Sequence, residues 1–275
     1  MMATDARSET AAGMNGIASN EEEFSTTIVA AICQYSNPAA PSELEMGITL
    51  AADGRGTKTD KVTGQTIITY KNYVKLYTLS NQLVVGFAGR TGPATCLLQG
   101  MHGAGIQTVS APRAWLATEL ATNIDPTSPS FKKVRILLAG FTNSVADVFW
   151  VEYNGISHSI TALTKNIGAV GAIGDGKIPV EVAAIGKFDT EISHAEACYM
   201  VMDACFYTTK NDKLTGGYAT GVCLGSNTAL FTFKSLQMVD YMPQRNIQGN
   251  LKLPDGNNLT QSPKFLDPRF IVPYL

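Results

Sequence analysis

Histidine is scarce in this chain, charge is thin, and no apolar run is long. Among 275 residues there are three histidines, His102, His158 and His194, and five cysteines, none in a CxxC pair. That set supplies neither a zinc site nor a disulfide framework. Most of Cys33, Cys96, Cys198, Cys205 and Cys223 fall in apolar stretches and read as core thiols of a reducing compartment. No stretch of about 20 apolar residues occurs, so no membrane span is expected. The net charge is −2 and no basic run interleaves with aromatics, which argues against a polyanion such as nucleic acid as partner. Residues 1–24 hold no continuous apolar segment and close on Glu21-Glu22-Glu23, so they read as neither a secretory signal nor a transit peptide. A cytoplasmic protein without metal or cofactor is the expectation. The sequon Asn258-Leu259-Thr260 is then a chance match.

What the chain has is apolar residue. Hydrophobic side chains make up 45% and charged ones 16%, below the usual share of about 25%. The length suits one large domain or two small ones. Low charge fits either a large core or a surface covered by neighbouring subunits.

Residues 1–25, rich in Ala, Ser, Glu and Gly, read as a disordered or detachable leader. Residues 26–35 are apolar and β-branched, as in a buried strand. A Pro/Ser/Ala loop at 36–45 leads to a second strand at about 46–53. Further strands are expected at about 65–69, 73–79 and 83–88. Thr91 to about Ile106 reads as a helix, and Ala111-Pro112 opens another with Trp115, Leu116, Leu120 and Ile124 on one face. Strands return at about 133–141, 145–153, 157–163 and 167–173. Helices follow at about 176–187 and 192–208, the second with Cys198, Val201, Met202 and Cys205 as a core stripe. Strands at about 217–224 and 228–234 close the pattern. Strands and helices come in blocks. This disfavours a doubly wound parallel sheet and suits an α+β fold with two sheets stacked between two helix layers. Residues 238–275 form an irregular arm with Pro243, Pro254, Pro263, Pro268 and Pro273. Its apolar segment Phe270-Ile271-Val272-Pro273-Tyr274-Leu275 docks on its own domain or on a neighbouring subunit.

Thr26-Thr27 opens the first strand. A threonine hydroxyl inside a chain is a poor nucleophile. At a free chain start the α-amine of the same residue, with an ordinary pKa of about 7.7–8.0, serves as its general base. Asp53 ends the second strand in Ala51-Ala52-Asp53-Gly54-Arg55-Gly56-Thr57, with Arg55 two residues on. Lys75 interrupts the apolar Tyr73-Val74-Lys75-Leu76-Tyr77. It faces solvent or it points inward. An inward ammonium requires a partner, and Asp53 is a natural one. Asp212-Lys213-Leu214-Thr215-Gly216-Gly217 is a turn by composition. Alternatively, Asp212 and the Thr215 hydroxyl orient the amine. Gly89, in Gly86-Phe87-Ala88-Gly89, offers a backbone N–H where an oxyanion forms.

These stretches, together with Ala172-Ile173-Gly174-Asp175-Gly176, resemble in order and type a proteasome β-type subunit of the N-terminal nucleophile hydrolases. Thr26-Thr27-Ile28-Val29 and the Gly-Phe-Ala-Gly stretch are also similar to the bacterial ATP-dependent peptidase of that superfamily. The likeness runs from Thr26 to about 235. It implies a hydrolase domain at 26–237, folded as a four-layer αββα sandwich of two antiparallel sheets between helix layers. It implies Thr26 as nucleophile, Asp53 and Lys75 as the charge pair beside it, Gly89 as oxyanion donor, and Asp212 and Thr215 as supports of the amine. Thr27 and Arg55 would be structural near the site. Tyr73, Tyr77, Phe87 and Thr95 would shape the substrate pocket, with Phe87 at its floor favouring small or medium apolar side chains. The resemblance further implies a homo-oligomeric ring of six or seven subunits, an ATPase or cap partner, and unfolded polypeptide as substrate. Autocleavage after Ser25 would expose Thr26.

Two residues depart from the family pattern. Asp175 stands where the family has serine. A carboxylate there can contact the amine and raises its pKa. Ser25 stands where the family has glycine, which narrows the geometry of self-attack. These two motivate an alternative expectation, a non-catalytic structural ring subunit that keeps its N-terminal segment. An amidase for small amides would keep the chemistry in a monomer or dimer. Gly171, Gly174 and Gly176 do not match the dinucleotide fingerprint, and the block layout lacks βαβ units.

The first expectation is testable by intact mass. Purified protein should have lost residues 1–25, whereas a full-length N-terminus without peptidase activity would contradict it.

Overall fold

A computed structural model describes residues 23–24, 26–37, 40–59, 66–70, 73–80, 82–106, 108–122, 134–153, 157–186, 188, 191–192, 194–208, 215–226 and 231–237. The chain opens with seven strands: Glu23–Phe24 (β1), Thr27–Asn37 (β2), Ala40–Ala52 (β3), Gly56–Thr59 (β4), Thr66–Tyr70 (β5), Leu76–Ser80 (β6) and Leu83–Arg90 (β7). Helices Thr91–Gly103 (α1) and Ser110–Thr122 (α2) follow. Strands Val134–Thr142 (β8), Val145–Tyr153 (β9), His158–Ala162 (β10) and Val170–Gly174 (β11) come next. Then come helix Lys177–Ala184 (α3), strand Glu191–Ile192 (β12) and helix His194–Thr208 (α4). Tyr218–Gly225 (β13) and Phe231–Gln237 (β14) are the last described elements.

Two sheets result. One runs β1-β7-β8-β9-β10, with β6 also on β7; the other runs β11-β2-β3-β13-β14, with β12 also on β2. Pairing is antiparallel except for the two residues of β12, which lie parallel to β2. A separate ribbon joins β4 and β5.

Alternation along β2 explains why it is apolar throughout. Ile28, Ala30 and Ile32 cluster with Val84, Ala88, Leu137 and Ala139 of the other sheet. Val29, Ala31, Cys33 and Tyr35 cluster with Val180 and Ala184 of α3 and with Cys198, Val201, Met202 and Cys205 of α4. Side chains on a strand point alternately to opposite faces, so a one-residue slip would exchange the two sets. Strand β7 repeats the pattern. Val85 and Phe87 join Leu97, Leu98 and Met101 of α1 and Leu116 of α2, away from Val84 and Ala88. Both sheets therefore carry two apolar faces.

The structure alters several expectations. Residues 36–37 and 40–45 are strand rather than loop: β2 and β3 run on to pair Asn37 with Ala40, with a register shift after Ser36. Pro41, which has no N–H, is tolerated there because β13 pairs with β3 only from Gly47 onward, so no outer strand needs a donor at that position. Glu23–Phe24, inside the expected disordered leader, forms a strand on β7. Strand β6 starts at Leu76, after an irregular approach through Tyr73 and Lys75. Ile124 and residues 238–275 lie outside the described residues. Cys33, Cys198, Cys205 and Cys223 are buried, and Cys96 is exposed on α1. No described helix is long and apolar enough to cross a membrane.

One contact ties α3 to the edge strand β11. Glu181 Oε1 accepts the Ala172 N–H at 3.0 Å. Burial pushes the Glu181 carboxyl up, while the Ala172 hydrogen bond and Lys177 pull it down. With a folded pKa above the unfolded one, Glu181 contributes stability below the unfolded value. That contribution is lost as pH rises through the folded value. Glu181→Gln keeps the acceptor oxygen without the charge. It should raise the melting temperature at pH 7 by about 1–3 °C, with the difference gone below about pH 4. Calorimetry showing an unchanged or lower midpoint at pH 7 would contradict this.

Candidate active site

The start of β2 lies against the end of β3, because Ile28 pairs with Ala52. That register places Thr26 and Thr27 beside Asp53. Backbone hydrogen bonds then lock that pair and gather three more segments. The Asp53 N–H donates to Thr27 O (3.1 Å), Gly54 N–H to Gly216 O (3.0 Å), Tyr73 N–H to Gly54 O (2.8 Å), and Asp175 N–H to Thr26 O (3.0 Å). Thr26, Thr27, Asp53, Lys75 and Thr215 are each at most 2% exposed.

The Asp53 carboxylate is the hub. Its Oδ1 accepts from Lys75 Nζ at 2.8 Å and from the Thr27 N–H at 2.8 Å. Its Oδ2 accepts from Gly216 N–H at 3.1 Å and Arg55 N–H at 3.2 Å. Four donors fill the sites an ionised carboxylate offers. Of the two orientations open to Lys75, the inward one is observed, paired with Asp53 and with no side-chain exposure. Burial pushes the Lys75 ammonium down, and the charge and hydrogen bond of Asp53 oppose that. Burial likewise pushes the nearby Cys205 thiol up, reinforced by the Asp53 charge.

Thr215 reaches the neighbour of the expected residue: its Oγ1 lies 2.7 Å from Thr27 Oγ1. Asp212 lies outside the described residues. Gly89 sits near the end of β7 with φ +98°, paired to Val134 on one side and to Phe24 on the other. Gly174 has φ +100°, and a Cβ there would collide with the Thr26 carbonyl oxygen, so the turn that grips Thr26 requires glycine. Asp175 follows it, half-exposed, with Oδ1 3.6 Å from Arg135 Nη1.

Three of the four expected pocket residues come together. The Tyr77 ring stacks on Phe87 at 5.9 Å and 20°, and Tyr73 meets Phe87 edge-on at 6.4 Å. The Tyr77 hydroxyl donates to Val74 O at 3.2 Å. Burial pushes that phenol up to about 12, so it stays a donor. Phe87 is buried. Thr95 is exposed on α1. Sequence reasoning missed Arg135 and the Glu23–Phe24 strand. A single arginine in an apolar strand and a two-residue strand leave no periodic signal.

No protein-family model matches the chain, and no curated protein matches it.

From the sequence, Lys75→Ala should cost activity far more than fold. The geometry revises that, because removing the ammonium leaves Asp53 charged and buried. Lys75→Ala should lower the unfolding free energy by about 3–5 kcal/mol. A urea titration showing a loss under about 1 kcal/mol would contradict the buried pair.

Proposed function

We propose that this chain is a threonine endopeptidase of the N-terminal nucleophile type, built like a proteasome β subunit, with Thr26 as nucleophile. The observation that carries this reading is the shared Asp53 oxygen. It holds a buried ammonium and the Thr27 N–H at 2.8 Å each, one residue from the Thr26 hydroxyl. Fully burying a Lys–Asp pair is costly and, for stability alone, often no better than an apolar pair. Beside a hydroxyl, it eases loss of the hydroxyl proton.

Activation would be self-cleavage. Thr26 Oγ attacks the Ser25 carbonyl carbon, the Ser25–Thr26 C–N bond breaks, and the nitrogen takes the hydroxyl proton. That step frees the amine, and water then hydrolyses the resulting ester to release the leader and restore the hydroxyl. In turnover the amine accepts the Oγ proton during attack on a substrate carbonyl and passes it to the leaving nitrogen. Water cleaves the acyl-enzyme. Gly89 N–H would serve the oxyanion, and Asp212 with Thr215 would support the amine.

The leader supports a place for the substrate. Strand β6 covers β7 only as far as Gly86, and β1 fills the remaining edge at Gly89 and Arg90. A peptide that replaces the departed leader would add to β7 as an extended strand. Its side chain before the cut would meet Tyr73, Tyr77 and Phe87, which suits small or medium apolar residues. The two sheets with α1 and α2 on one and α3 and α4 on the other are read as the four-layer αββα sandwich. On this reading the chain works in a six- or seven-fold cytoplasmic ring that degrades unfolded polypeptides delivered by an ATPase or cap.

A second reading, a structural ring subunit with an uncut N-terminus, is favoured by one observation. Glu23–Phe24 and a buried Thr26 accommodate the leader as a paired strand.

Thr26→Ala discriminates between them. The variant should assemble normally and lose peptide cleavage by more than about a thousandfold. Undiminished cleavage would point to a different nucleophile.

A further inference from the structure

Asp175 opposes the proposed base. Its N–H holds the Thr26 carbonyl, so its side chain springs from the residue that grips the nucleophile. A carboxylate near the amine favours the ammonium form, which cannot accept a proton. The structure places a counter-charge there. Arg135, on β8 of the other sheet, has Nη1 3.6 Å from Asp175 Oδ1 and Nε 3.6 Å from Glu152 Oε1. The second Glu152 oxygen lies 3.7 Å from Lys177 Nζ, which sits over the Trp150 ring at 5.2 Å. Glu152 thus steadies one side of the guanidinium and leaves the other turned to Asp175. The row Lys177, Glu152, Arg135, Asp175 alternates in sign and bridges the two sheets beside Thr26.

We propose that Arg135 is a positioning residue for the Thr26 base: it engages the Asp175 carboxylate and offsets its charge, so that the liberated amine stays neutral in a turn that carries an acid. This rests on the peptidase reading above. Among the described residues, other charged groups near that corner are Asp53 and Lys75, which cancel, Arg55, whose backbone N–H binds Asp53, and Lys177 and Glu181 of α3, which interact with each other and with Glu152; Asp212 lies outside the described residues. All of these persist in the variants below, so the comparison isolates Arg135 and Asp175. The pair is about half-exposed, so the effect is a modest one, weakened by salt.

The test is the pH profile of kcat/KM on a short peptide, beside the pH dependence of acylation of the Thr26 amine by a succinimidyl ester, followed by mass. Arg135→Gln should move the acid limb and the labelling curve up by about half a pH unit. That is about a threefold loss at pH 7 that vanishes near pH 9. Arg135→Lys should retain the wild-type profile, and Asp175→Asn in the Arg135→Gln background should restore it. An equal loss at every pH, or no rescue by Asp175→Asn, overturns the proposal. If the wild-type amine labels but no peptide is cleaved, the peptidase reading fails alone, and the labelling curves still decide the role of Arg135. An amine that is never liberated overturns both.

Discussion

The Asp53 carboxylate holds the site together. Its four donors come from the start of β2, the turn after β3, the approach to β6 and the glycines before β13. Lys75 alone would be an unpaired buried cation, and Asp53 alone an unpaired buried anion. Each is tolerable only with the other, and the pair is tolerable only because backbone N–H groups take the remaining lone pairs. The same constraint fixes Thr27 by its nitrogen, which leaves Thr26 as the residue at the edge of the buried network.

The sheets explain why this network forms where β2 begins and β3 ends. Strands β2 and β3 are bound on both faces by apolar clusters, so their register cannot slip without exposing one set of side chains. Rigid register delivers Thr26, Asp53 and Asp175 to the same corner. Strand β7 leaves a short open edge beyond β6 at that corner, and the segment before Thr26 pairs with it. A buried threonine, a charge pair and a short strand edge therefore converge at that corner.

Much of this was legible in the sequence for identifiable reasons. The strands starting at Thr27 and Leu83 read clearly because alternation with two apolar faces gives a continuous β-branched run. Lys75 stood out because a charge in such a run demands an explanation, and the inward choice is the one observed. Other features left no local trace. Prolines at 38 and 41 signalled a loop, but an edge position exempts Pro41 from the ladder. Thr215 meets Thr27 across 188 residues, a partner no spacing rule selects. The Arg135–Asp175 contact joins different sheets and has no periodic signature. Thr95, a pocket residue by resemblance, is exposed on α1.

The central claim is that position 26 carries a free amine and a reactive hydroxyl on one residue. A peptide epoxyketone tests both groups at once. The hydroxyl adds to the ketone, the amine opens the epoxide, and a ring closes with no atoms lost. The account predicts one adduct per chain, equal in mass to the probe and mapped to Thr26, with loss of peptide cleavage. Particles that cleave peptides yet form no adduct, or form it on another residue, would contradict it.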